Sequence, residues 1–72
     1  MEDALRSKIV TAVRVAGLTL PRAAEACGID YSTFIAVYYG RTKRPGPGVL
    51  HSLEGLGLSY EELALAAYGI VQ

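Results

Sequence analysis

The chain has 72 residues, with seven basic against seven acidic side chains for a formal net charge of zero, and 51% of it is hydrophobic. That length predicts one domain with a single small core and no room for a separate catalytic or effector-binding domain. No apolar run reaches the roughly 18 residues of a membrane span and Met1-Glu2-Asp3 opens no basic leader, so a cytoplasmic protein without a membrane partner is expected.

In chain order, Leu5, Ile9, Ala12, Val13 and Ala16 recur at spacings of three and four, with Arg6, Lys8 and Arg14 off that stripe. This is the pattern of an amphipathic helix, predicted over about 3–16 and ended by Gly17. Thr19 can accept from the free N–H groups of the next turn, Pro21 is tolerated in a first turn, and Ala23, Ala24 and Ala26 favour helix, which predicts a second helix over 20–27. Cys27 at its end reads as a small buried apolar residue, with no activating His nearby in sequence. As the single cysteine, it excludes an internal disulfide and a cysteine-cluster metal site.

Gly28 reaches the left-handed conformation that closes a helix, and Asp30 is placed to cap a third helix over 31–39. Phe34 and Val37 give that helix its buried stripe. Ala24, four residues before Gly28, faces it at the corner, where a small side chain lets two steeply crossed helices approach closely.

The segment GRTKRPGPG after it predicts an exposed loop. A fourth helix is expected over 47–56, burying Val49, Leu50, Leu53 and Leu56, with Gly55 and Gly57 weakening its end. Ser59 with Glu62 forms a capping box that starts a fifth helix over 60–68, and Gly69 can end it. No segment alternates apolar and polar as a half-buried strand does, so the expected fold is all-α with five short helices.

Charge is unevenly spread. Residues 1–30 balance, residues 31–53 carry Arg41, Lys43 and Arg44 with no acid, and residues 54–72 carry Glu54, Glu61 and Glu62 with no base. Positive charge therefore collects directly after the third helix.

With GLTLPRAAEACGIDYSTFIAVYYG in its middle and LGLSYEELA near its end, the five-helix order resembles the lambda-repressor-like helix-turn-helix proteins, the Cro/CI or XRE group. The likeness spans nearly the whole chain. Its marks are Ala24, Gly28, Ile29, Phe34 and Val37 at the family's packing positions, Gly40 closing the unit, the RTKRP loop, and LGLS before the last helix. The resemblance implies sequence-specific binding of double-stranded DNA, usually as a dimer, with the third helix in the major groove, by a transcriptional regulator such as a phage or plasmid repressor or Cro-like switch.

Carried over position by position, the residues facing base edges are Tyr31, Ser32, Thr33, Ala36 and Tyr39. They lie away from the stripe of Phe34 and Val37, and short hydroxyl side chains suit base edges. Ser32 and Thr33 can equally serve as helix-start residues with local hydrogen bonds. Phosphate contacts are expected from Arg41, Lys43 and Arg44, from Arg22, and at the helix start near Thr19. Leu20 stands where many members carry a glutamine that grips a phosphate, and the presumed reading helix has no Arg, Lys, Asn or Gln. Either specificity leans on DNA shape and the loop cations, or the surface serves another partner.

Of the adjacent Tyr38 and Tyr39, Tyr39 is expected to be the exposed one and the other to fill space under the fourth helix. His51 has no second His or Cys at ligand spacing and reads as structural or solvent-facing. Glu61 and Glu62 point about 100° apart on a helix and form no acid/base pair. No nucleophile or phosphate-loop motif is present, so no enzyme, cofactor, metal or small-molecule ligand is expected. EELALAAYGIVQ is apolar on more than one face, and Leu65, Tyr68 and Val71 are expected to form a two-fold homodimer interface, unless the tail simply packs on the first helix. Two further readings stand beside DNA binding: a protein–protein module of the same fold, such as an antitoxin-like or regulatory partner, and an RNA-binding version, which lacks an evident aromatic platform.

Overall fold

The computed structural model describes residues 4–42 and 44–69. Five α-helices follow one another: α1 Ala4–Ala16, α2 Leu20–Cys27, α3 Tyr31–Tyr38, α4 Pro47–Leu53 and α5 Tyr60–Tyr68, with a 3₁₀ turn Glu54–Leu56 between the last two. No strand occurs among the described residues, so the fold is all-α. None of these helices is long and apolar enough to cross a membrane.

The helix ends follow local chemistry. Thr19 accepts the Arg22 N–H at 3.4 Å, and Ser59 and Glu62 complete a reciprocal capping box at the start of α5. Gly28, at φ 69°, closes α2 in the left-handed region, where a Cβ is costly.

One core joins all five helices: Leu5, Ile9 and Val13 from α1, Ala23, Ala24 and Cys27 from α2, Phe34 and Val37 from α3, Leu50 and Leu53 from α4, and Leu63 from α5. Phe34, the largest of these, is fully enclosed. Burying such a side chain contributes about 1.5–3 kcal/mol.

Five expectations need correction. The fourth helix stops at Leu53 and its predicted last turn tightens to 3₁₀, with Gly55 in that turn so close to α2 that a Cβ on it would meet the backbone of Ala26 and Cys27. Val49 and Leu56 are only half-buried, while Leu50 and Leu53 are enclosed. Ala16 is exposed, since α1 turns its last residue past the edge of the core. The loop after α3 is not exposed throughout: Pro45 is buried, and its carbonyl accepts the hydroxyl of Tyr68. The third helix also ends one residue early, with Tyr39 as its C-cap.

Candidate nucleic-acid interface

Two adjacent alanines of α2 are buried near the α2–α3 corner. Ala23 and Ala24 are 0% and 3% exposed; Ala24 is the small residue that the sequence predicts at the corner, and Ala23 is buried beside it. The Gly28 N–H donates to Glu25 at 3.0 Å and the Ile29 N–H to Ala24 at 3.3 Å, which closes the turn and aims the chain into α3.

Asp30 organises the start of α3. Its carboxylate accepts the Ser32 hydroxyl at 2.8 Å, the Thr33 hydroxyl at 2.9 Å and the Thr33 N–H at 3.4 Å. The two hydroxyl bonds foremost hold the Asp30 carboxyl below its usual range. Both hydroxyl protons are thus engaged, which leaves Ser32 and Thr33 with acceptor lone pairs only. Thr33 and Ala36 are half-buried, Ser32 is exposed, and Tyr31 and Tyr39 are 50% and 51% exposed. Ser32, Ala36 and Tyr39, spaced by four and three, share the outward face opposite Phe34 and Val37.

Tyr39 is braced from behind. Its ring meets Tyr38 edge-on at 5.0 Å and 85°, and Tyr38 tilts against buried Phe34 at 5.8 Å. Tyr39 is the exposed member of the pair, as expected, and Tyr38 packs against the core.

Directly beyond, Gly40 turns left-handed at φ 80° while the N–H groups of Arg41 and Thr42 both donate to Ala36, at 2.8 and 3.0 Å. Arg41 and Arg44 are exposed, and no ion pair ties either to an acid among the described residues. Lys43 lies outside the described residues. On α2, Arg22 stands 3.7 Å from Glu25 with both side chains largely in solvent, a pair of little energetic consequence. A shallow hollow of about 280 Å³ between α2 and α3, lined by Pro21, Ala24, Glu25, Ile29 and Tyr31, flanks the same corner.

Of the residues expected at a dimer interface, Leu65 is 47% exposed, Tyr68 is half-buried with its hydroxyl on Pro45, and Val71 lies outside the described residues. Sequence reasoning missed Val15, 84% exposed beside a hollow of about 510 Å³ between α1, the 3₁₀ turn and α5. It also left His51 isolated, whereas the ring pairs with Glu54 at 2.8 Å and stacks on Tyr60. The three-residue spacing of His51 and Glu54 on a helix was the available signal. Buried Cys27 has its thiol pushed up by desolvation, away from nucleophilic use. No protein-family model, curated protein or solved structure matches the chain.

Proposed function

We propose that this chain is a lambda-repressor-like helix-turn-helix domain that binds double-stranded DNA sequence-specifically and regulates transcription, with α3 in the major groove. The observation that carries the reading is the layout of α3. One face is fixed in the core by Phe34 and Val37, the other presents Ser32, Ala36 and Tyr39, Tyr31 stands exposed at the start of the helix beside α2, and the chain runs on into exposed Arg41 and Arg44. A single helix fits the groove, and exposed cations at its end, tied to no acid among the described residues, suit the flanking phosphates.

In this reading Arg41, Lys43 and Arg44 dominate the phosphate contacts, with Arg22 and the backbone near Thr19 adding to them. Tyr31 and Tyr39 retain hydroxyl protons for bases, Ser32 and Thr33 serve as acceptors, and Ala36 offers its methyl to thymine. A homodimer through α5, with Leu65 at its centre, would present two such helices to a two-fold-related operator. The site of action is then the bacterial or phage-infected cytoplasm, at the nucleoid.

Binding to genomic duplex, followed by gel shift and fluorescence anisotropy in low and moderate salt, tests the reading. The wild type should bind at low salt and lose affinity with a log–log slope of about −0.9 per phosphate neutralised. Replacing Arg41, Lys43 and Arg44 together by Ala should flatten that slope by about three contacts. No retardation by the wild type at low salt rejects DNA binding. The hollow beside Val15 favours a second reading, a protein-interaction module of the same architecture, which then takes its place.

A further inference from the structure

We infer that Tyr68 is a positioning residue for the basic loop: its hydroxyl straps Pro45 to α5 and so holds Arg41 and Arg44 ready for an anionic partner. The inference rests on the DNA reading for its functional half and on the strap alone for its structural half.

The loop is pinned at both ends by contacts of different kinds. At its start, the N–H groups of Arg41 and Thr42 converge on the Ala36 carbonyl, which ties the first two loop residues to the last turn of α3. At its far end Pro45 is buried and carries the carbonyl that Tyr68 grips from 23 residues away in sequence. The tyrosine ring itself packs on the core, so the hydroxyl is delivered by a side chain that is not free to swing. Proline offers no N–H of its own, and its carbonyl is the one backbone polar group through which this residue can be bonded.

A short loop fixed at both ends loses conformational freedom before its partner arrives rather than on binding. The strap therefore acts on affinity without touching the partner. It also makes loop order depend on α5 being folded and docked, which assigns Tyr68 a role inside the chain rather than across a dimer interface.

Tyr68→Phe keeps the ring and removes only the hydroxyl. The full-length variant is compared with the wild type for thermal unfolding, for the rate of trypsin cleavage after Arg41 under native conditions, and for duplex affinity as a function of salt. The expected result is cooperative unfolding with hydrogen exchange of α1 to α3 unchanged, cleavage about fivefold faster, as one lost hydrogen bond implies, and a similar fold-loss of DNA affinity at an unaltered salt slope. An unaltered slope separates lost positioning from lost phosphate contacts, which Arg41→Ala removes. Leu65→Glu, on the exposed side of the same helix, should leave the cleavage rate of the monomer at the wild-type value. Equal cleavage of the Phe variant and the wild type overturns the strap whatever the DNA result, as does faster cleavage that merely follows global unfolding. Faster cleavage with no DNA binding by either protein upholds the strap and overturns the DNA reading.

Discussion

Gly55 lies so close to Ala26 that a Cβ built on it would run into the Ala26 carbonyl, standing 3.0 Å from the carbonyl carbon and 3.3 Å from the Cα of Cys27. The obstacle is backbone at the end of α2 and cannot rotate away. Gly55→Ala should therefore force the 3₁₀ turn off α2 and cost about 1–3 kcal/mol, as overpacking does. Gly48, inside α4 with nothing within 4 Å of its would-be Cβ, is the opposite case. Gly48→Ala should stabilise by about 0.5–1 kcal/mol through helix propensity and a less flexible unfolded chain. Urea unfolding of both variants checks the difference in sign.

Acid should weaken the α3 start. The Asp30 carboxyl titrates below its usual range because Ser32 and Thr33 donate to its charged form. A carboxyl depressed in the folded state contributes stability above its unfolded pKa, and that contribution disappears as pH falls through the folded value. Glu62 acts in the same direction through the bonds from Ser59 and the charge of Lys8. Asp30→Asn preserves a capping oxygen but removes the titration, so its stability should fall less steeply on acidification from pH 7 through the carboxylate range. Chemical denaturation at a series of pH values measures the slope. Parallel curves for variant and wild type reject the assignment.

These two cases mark where the amino-acid sequence is readable. Thr19, Gly28, Asp30, Ser59 and Glu62 announce helix ends because each acts on backbone groups within four residues, and the predicted boundaries lie close to those observed. Gly55 announces only a weak helix. The contact that gives it meaning is with Ala26, in another element, and nothing local encodes it. The same holds for the candidate site. The outward face of α3 follows from the spacing of Phe34 and Val37, but the engagement of the Ser32 and Thr33 protons by Asp30, the bracing of Tyr39 and the burial of Pro45 under Tyr68 depend on rotamers and on contacts across the fold.

Self-association through α5 is separable from folding at one position. Leu65 is substantially exposed, whereas Tyr68 is engaged with Pro45, so a charge at Tyr68 would disturb the loop as well as any interface. Leu65→Glu should leave the melting temperature of the monomer nearly unchanged, as exposed substitutions generally do. For a dimer through α5 it should abolish the concentration-dependent rise in sedimentation coefficient. A dimer that survives Leu65→Glu but not Val15→Glu would locate the interface at the hollow on α1 instead.

On the proposed DNA reading, base readout should fall on the two exposed tyrosines more than on the hydroxyls of Ser32 and Thr33. Ser32 and Thr33 have donated their protons to Asp30, so each can only accept from an exocyclic amine, while Tyr31 and Tyr39 keep a donor and an acceptor at about half exposure. Tyr31→Phe and Tyr39→Phe retain the rings and the bracing of Tyr39 on Tyr38, and each should lose about 1–3 kcal/mol of discrimination at one base pair, the usual range for a good base contact. Ser32→Ala should change the preferred sequence little, its main effect being a weakened cap on α3. Selection of bound duplexes from a random pool by the wild type and the three variants reads this out position by position. If Ser32→Ala alters the selected motif and both Phe variants leave it intact, the hydroxyl proton of Ser32 must be released to the DNA on binding, and Asp30 would then be the residue that moves.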